Sequence, residues 1–265
     1  MKTSRRPRRD LASFVGLLLI GAVVVAAQLA EGGPFGALLQ PTAALVVFGG
    51  TAAALLLSFP WPLLVRAVRA VASVFRVTSE PELALVTRFE QYAVRVLRKG
   101  VIALESEINA VDDPFLRRAL GMVVDGVDAA EVRQALTTFS HAREDSDDEC
   151  ALVLETAAGY APTLGILGAV LGLIRVMENL ATPAGVGAGI AVAFVSTVYG
   201  VGAANLLLLP LASRMRAVSR VAALTRELII EGAVVLQRRV HPRIVEAYLG
   251  GYVRACTSDR AQGAA

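Results

Sequence analysis

Residues 161–174 read Ala161-Pro-Thr-Leu-Gly-Ile-Leu-Gly-Ala-Val-Leu-Gly-Leu-Ile174, and residues 187–200 read Gly187-Ala-Gly-Ile-Ala-Val-Ala-Phe-Val-Ser-Thr-Val-Tyr-Gly200. Both runs are apolar, and both carry small residues at helical spacing. Such stripes allow helix backbones to approach closely inside a membrane. The two runs therefore predict two transmembrane helices that use small-residue faces for packing or for lining a pore.

The chain contains four long apolar stretches, each near or above the roughly 20 residues that a helix needs to span a bilayer. Of the 26 Lys and Arg residues, only Arg175 lies inside one of them. Hydrophobic residues make up 55% of the chain, which exceeds the roughly 45–50% of soluble domains. The sequence predicts an all-α, polytopic membrane protein with four transmembrane helices and a cytoplasmic helical region. The predicted spans are Leu11–Ala30, Ala37–Phe59, Thr156–Met177 and Gly187–Leu211.

Basic residues mark the predicted cytoplasmic side. They cluster in Lys2–Arg9, at Arg66 and Arg69, and at Arg214, Arg216 and Arg220, where the positive-inside rule places cytoplasm. Both termini are therefore predicted to be cytoplasmic. The expected organisation is a first hairpin in 1–60, a cytoplasmic helical domain in 61–155, a second, pore-lining hairpin in 156–211, and a cytoplasmic helix and tail in 212–265.

The net charge of +3 does not indicate nucleic-acid binding, because the basic residues lie at membrane ends, where anionic lipid headgroups explain them. Membrane lipid is thus an expected partner and nucleic acid is not. A cleaved signal peptide is a competing interpretation of the first span, but no convincing small-residue cleavage site follows it. Cys150 and Cys256 are expected to be reduced thiols without a role.

No Asp, Glu, His or Lys lies deep in any of the four spans, so this chain alone offers no titratable group at mid-membrane for a proton relay. Ser196 and Thr197 could line a pore, or could bond to the carbonyl one turn earlier in their own helix. Pro162 and Pro210 could act as hinges, or could simply end helices, because proline lacks the backbone donor.

The polar segment between the hairpins predicts amphipathic helices. Gly100 is expected to separate two helices, Asp113-Pro114 to begin another, and Asp128-Ala-Ala-Glu131 to cap a further one. The apolar periodicity after Arg214 predicts that the fourth span continues as a cytoplasmic helix. The expected apolar rows of the polar segment are Leu85, Phe89, Tyr92, Val96, Ile102 and Leu104.

The two runs quoted first, together with Ala204-Asn205 through Pro210, resemble the MotA/PomA family of flagellar stator proteins. Further similar pieces follow in the same order along the chain and make the resemblance cover most of it. They are Phe48-Gly-Gly-Thr51, Leu97-Arg-Lys-Gly-Val-Ile-Ala-Leu-Glu105, Val124-Asp-Gly-Val-Asp128, Glu231-Gly232 and His241-Pro242.

The resemblance implies a ring of identical subunits, expected to be a pentamer, around MotB-type partners. Those partners would supply a membrane aspartate and a peptidoglycan anchor, and the ring would act on a flagellar rotor switch protein. Arg98, Lys99 and Glu105 correspond to the family's rotor contacts, and Pro162 and Pro210 to its functional prolines. The expected ion pathway is lined by Gly165, Gly168, Ala169, Ala193, Ser196, Thr197 and Gly200.

The transported ion is expected to be a proton rather than sodium. Sodium-driven members carry a threonine where this chain has Ala169, and alanine offers no oxygen to a hard cation that needs several oxygen ligands. Thr197 matches a threonine of both types and does not discriminate between them.

Two alternatives to a flagellar stator remain. One is a TolQ/ExbB-like proton-driven motor that energises an envelope or uptake system. The other is an unrelated membrane enzyme or scaffold, which is disfavoured because the sequence has no His/Cys/Asp/Glu cluster with ligand spacing and no nucleophile with a base. No catalytic residue, cofactor or resident metal is expected.

Overall fold

The computed structural model describes residues 8–9, 15–16, 18–19, 22, 26, 39–74, 76–77, 82–178 and 183–262. This described part is all-α, as predicted, apart from one antiparallel pair of two-residue strands. In chain order the elements are β1 (Arg8–Arg9), α1 (Pro41–Ser58, with a π-helical turn at Leu45–Gly49), α2 (Trp61–Val74), β2 (Arg76–Val77), α3 (Glu82–Lys99), the 3-10 turn Val101–Leu104, α4 (Glu105–Ile108), α5 (Pro114–Val124), α6 (Ala129–Glu178), α7 (Pro183–Gly202), the π-helical segment Ala203–Leu208, α8 (Leu209–Gln237) and α9 (Pro242–Gln262).

Three helices of the described part are long and apolar enough to cross a membrane: Pro41–Ser58, Ala129–Glu178 and Val186–Gln237. The first of these helices lies within the second predicted span, Ala37–Phe59, and the other two contain the third and fourth predicted spans. The first predicted span, Leu11–Ala30, lies outside the described residues except at isolated positions. The count of four spans and the cytoplasmic placement of both termini therefore stay predictions.

The third and fourth spans are parts of much longer helices. Helix α6 has 50 residues, a length of about 75 Å at ~1.5 Å per residue, against a hydrocarbon layer of roughly 30 Å. Its start is capped by the Asp128 carboxylate, which accepts a bond from the Ala130 N–H at 2.9 Å. Helix α8 continues the fourth span to Gln237, which confirms the predicted extension.

A π-helical segment, Ala203–Leu208, joins α7 to α8 directly before Pro210. Proline has no N–H, so the carbonyl one turn earlier loses its usual donor. Widening the turn allows i to i+5 bonding, and the helix continues to Gln237 instead of ending at the proline.

The contacts divide the chain into two compact units. The polar unit draws on residues 78–146 and 219–265, and the membrane unit on 7–77 and 147–218. This grouping assigns α2 to the membrane unit, whereas the predicted boundary lies at residue 61. The reason is that α2 buries Ala67 and Val74 in a cluster with Cys150, Ala151, Val153 and Met215.

The core of the polar unit is built from α3, α5, α8, α9 and the start of α6. Its buried α3 residues, Leu85, Phe89, Tyr92 and Val96, confirm the predicted apolar row. Gly232 on α8 lies against the Phe89 ring, since a Cβ built on Gly232 would be 2.5 Å from Phe89 Cε1. A side chain larger than hydrogen at this position would displace the ring.

The predicted helix boundaries of the polar segment are confirmed. Helix α3 ends at Lys99, and Gly100 has φ +79°, a conformation that glycine adopts without steric cost. Asp113 caps α5 by accepting bonds from Phe115 N at 2.8 Å and Leu116 N at 3.2 Å. These local signals are sufficient to place both boundaries.

The prediction that Ile102 and Leu104 share an apolar row is wrong for Ile102. Leu104 is fully buried, but the exposed fraction of Ile102 is 70%. Both residues lie in the 3-10 turn Val101–Leu104, which has about three residues per turn instead of 3.6. Residues two apart point about 200° apart around an α-helix and about 240° apart in a 3-10 turn, so with Leu104 buried the Ile102 side chain points outward in either geometry.

Candidate functional site

Helices α6 and α7 approach each other through their glycines. A Cβ built on Gly165 would lie 2.8 Å from the Ser196 carbonyl oxygen, and one on Gly200 would lie 2.5 Å from the Ala161 carbonyl oxygen. Towards the other end of the pair, a Cβ on Gly172 would lie 2.7 Å from the Ala193 backbone nitrogen. These spacings leave no room for a methyl group, so the predicted close helix packing is confirmed.

The buried hydroxyl of Ser196 lies inside this helix pair. Its Oγ donates to the Val192 carbonyl at 2.7 Å, and a Cβ on Gly168 would lie 2.6 Å from it. Ala193 is also buried. The role that the structure shows for Gly165, Gly168, Ala193, Ser196 and Gly200 is close packing within one chain, and their lining of an ion pathway stays a prediction.

Thr197 and Ala169 are placed differently from the other predicted pathway residues. Thr197 is exposed and Ala169 is half-buried in the single chain. The Thr197 hydroxyl bonds to the Ala193 carbonyl over a long 3.4 Å, so its oxygen also remains available as an acceptor. Among the predicted pathway residues, Thr197 is therefore the one with an accessible side-chain oxygen.

Neither proline ends its helix. Pro162 lies inside α6 and Pro210 lies near the start of α8, within the continuous run after the π-helical segment. The Pro162 Cα would be 3.1 Å from a Cβ on Gly200, so the proline belongs to the tight α6–α7 contact. The interpretation that the prolines merely terminate helices is wrong, and a hinge motion stays a prediction.

Ion pairs occur near the polar ends of the spans in the membrane unit. Arg216 donates to Glu155 at 2.8 Å, and Arg66 donates to Glu149 at 2.6 Å. All four side chains are partly exposed, so these pairs are worth little in stability. Of the described residues, no group of three His, Cys, Asp or Glu could hold a metal ion.

The predicted rotor-contact residues lie at the end of α3 and the start of α4. Arg98, Lys99 and Glu105 are all exposed. Arg95 of α3 pairs with Glu107 of α4 across the intervening turn. Basic residues in a last helical turn are also favoured by the helix dipole, so exposure alone does not assign a rotor contact, which stays a prediction.

Comparisons with known proteins agree with this architecture. Residues 107–227 match the model of the MotA/TolQ/ExbB proton channel family. The chain is 32% identical over 251 residues to motility protein A of Bacillus subtilis, covering 93% of this chain and 92% of that protein. The flagellar MotAB stator complex from Bacillus subtilis contains a chain with a TM-score of 0.84 and 31% identity, covering 91% of this chain and 95% of the other.

This chain belongs to the MotA/PomA family of flagellar stator proteins. A chain in the structure of MotAB from C. jejuni is also similar, with a TM-score of 0.85 and 26% identity over 92% of this chain and 95% of that one. The family resemblance deduced from the runs at 161–174 and 187–200 is thereby confirmed.

The polar unit of this MotA/PomA family member contains a charged network to which the sequence analysis assigned no role. Glu231, only 9% exposed, accepts two bonds from Arg133, one of them 2.8 Å between Nη2 and Oε2. The Tyr248 hydroxyl donates to Glu231 Oε2 at 3.2 Å. The negative charge of Glu231, burial and this hydrogen bond raise the pKa of Tyr248.

The sequence feature that could have revealed this network is a single carboxylate within an apolar helical run. Glu231 follows Ile229 and Ile230 and precedes Gly232 and Ala233, within the stretch 228–236 of α8, all of which is buried. Buried carboxylates are found paired. An acidic residue in such a run therefore predicts a cationic partner, although the sequence does not reveal that the partner is Arg133.

Proposed function

We propose that this stator protein, assembled with a MotB-type partner in the bacterial inner membrane, conducts protons and converts their flow into torque on the flagellar rotor. The observation that carries the proposal is the similarity over 91% of the chain to a subunit of a solved flagellar MotAB stator complex. The function is transport coupled to mechanical work, without covalent chemistry by this chain.

The partner is needed because this chain lacks a mid-membrane carboxylate. Its four predicted spans contain no deep Asp, Glu, His or Lys, and a proton relay inside a bilayer requires a titratable group. A MotB-type subunit would supply an aspartate, and a ring of copies of this chain, proposed to be a pentamer, would surround it. The exposed Thr197 hydroxyl is the group of this chain that is best placed to meet the ion.

Proton coupling is supported by the side chain at position 169. Ala169 has no oxygen, and sodium needs several oxygen ligands to replace its water. Each proton that crosses would release about 2.3 kcal/mol per 100 mV of membrane potential. Arg98, Lys99 and Glu105 are exposed and would transmit the resulting motion to the rotor switch protein, with Pro162 and Pro210 flexing in the pore helices.

The relatives favour the flagellar function over an envelope-energising one. The family model covers both classes, but several relatives that match over more than nine tenths of the chain are named motility protein A. A TolQ/ExbB-like role would require a partner with a periplasmic energy-transfer domain in place of a peptidoglycan-binding domain.

The test is rotation of tethered cells in a stator-deleted host that carries this chain and the partner encoded beside it. Sodium is varied at fixed proton-motive force, and a protonophore is added afterwards. Rotation that ignores sodium and stops with the protonophore is expected. Rotation that follows sodium would contradict the argument from Ala169, and no rotation despite membrane assembly would contradict the stator function.

A further inference from the structure

Ile102 is an apolar side chain presented at the tip of a turn. Its exposed fraction is 70%, whereas Leu104, two residues further on, is fully buried. Leu97, in the last turn of α3, is 47% exposed. Isolated exposed apolar residues are common on proteins, so exposure alone assigns no role to Ile102.

The turn that carries Ile102 is held by three separate features. Gly100 takes φ +79°, Ala103 N donates to the Gly100 carbonyl at 3.2 Å, and Leu104 anchors the turn in the core. The Arg95–Glu107 ion pair joins the helices on either side of it. Ile102 therefore projects from a preorganised support, which lowers the entropy that a partner would have to overcome on binding.

Exposed charged residues of opposite sign lie on the two sides of Ile102 in the sequence. Arg98 and Lys99 precede the turn, Glu105 follows it, and all three are exposed. An anionic lipid surface does not fit this arrangement, because it would meet the Glu105 carboxylate as well as the bases. A complementary partner is a protein helix that presents acidic residues towards Arg98 and Lys99, a basic residue towards Glu105, and an apolar side chain between them.

We propose that Ile102 is the apolar anchor of the proposed rotor-contact surface and packs against an apolar side chain on a complementary charged helix of the rotor switch protein. The inference rests on the proposed function and adds to it a residue that the charge pattern does not include. The charges would steer the encounter, while the apolar contact would slow dissociation.

Leu83 provides a matched control, because it is 72% exposed and lies at the start of α3, the helix that precedes the Ile102 turn. The experiment compares Ile102→Asn, Ile102→Met and Leu83→Asn in the stator-deleted host with the partner present. Stall torque and the dwell time of fluorescently labelled stators at the motor are measured, together with the amount of assembled complex in the membrane.

Ile102→Asn is expected to shorten the dwell time by about tenfold, the equivalent of about 1.4 kcal/mol, and to lower stall torque. Ile102→Met should restore both, and Leu83→Asn should behave as wild type. Equal dwell times for Ile102→Asn and Leu83→Asn would overturn the inference. Loss of assembled Ile102→Asn complex would also overturn it, by indicating a contact between copies of this chain. Failure of wild-type rotation would instead contradict the proposed function.

Discussion

At the scale of single residues, backbone spacing decides what each small side chain does. The glycines on α6 that contact α7 cannot carry even a methyl group, whereas Gly159 on the same helix has no atom within 4 Å of a built Cβ. Glycine costs roughly 0.5–1 kcal/mol relative to alanine in a helix. That cost is offset at Gly165 by close packing, and no contact offsets it at Gly159.

Gly165→Ala is expected to destabilise the purified chain by about 1–3 kcal/mol, because the new methyl group would push against the Ser196 carbonyl oxygen. Gly159→Ala should be neutral or slightly stabilising, since it adds a better helix former where space is open. Thermal unfolding of both variants in the same detergent tests the pair. Equal shifts in Tm for the two variants would count against the α6–α7 packing.

At the scale of elements, the sequence predicts the features that depend on residues close together in the chain. Hydropathy and charge predict the second, third and fourth spans. Gly100, Asp113 and Asp128 predict helix ends, because a helix cap acts within one helical turn. The prediction for Ile102 failed because it grouped residues two apart, which lie on different faces of both an α-helix and a 3-10 turn. Ser196 could not be assigned to one face, because its burial depends on Gly168 of another helix.

The bond between α8 and α9 predicts a pH dependence. The pKa of Tyr248 is raised by Glu231, so in the folded chain the neutral hydroxyl is favoured. This contribution to stability is present below the ordinary tyrosine pKa of about 10 and is lost as pH rises through the raised folded-state pKa. The folded chain therefore becomes less stable at alkaline pH.

Tyr248→Phe should flatten this alkaline decline relative to wild type. At neutral pH it should cost at most about 0.5–1.5 kcal/mol, the usual worth of one hydrogen bond, and the low end is expected because Tyr248 is 52% exposed. Unfolding measured against pH for both proteins tests this, since the difference between them removes the titration of other groups. If the free energy of unfolding fell equally with rising alkaline pH in both proteins, the Tyr248–Glu231 bond would not govern the decline.

At the scale of the whole molecule, the proposed function assigns ion flow and torque to different residues of the chain. The proposed ion-facing hydroxyl, Thr197, belongs to the membrane unit, and the rotor-contact charges Arg98, Lys99 and Glu105 belong to the polar unit. A substitution in one set should therefore leave the other set's activity measurable.

Thr197→Val keeps the shape of the side chain and removes its oxygen, so it should lower proton flux on the order of tenfold, as expected for one lost hydrogen bond, and torque should fall with it. Arg98→Glu should lower torque while proton flux persists, because reversing an exposed charge alters partner encounter and leaves the pore helices intact. Flux is measured by acidification of cells whose stators conduct without the rotor, and torque by bead rotation. If Arg98→Glu stopped proton flux, Arg98 would belong to the ion pathway and not to the rotor contact. If Thr197→Val left proton flux and torque unchanged, the exposed Thr197 hydroxyl of α7 would have no part in conduction.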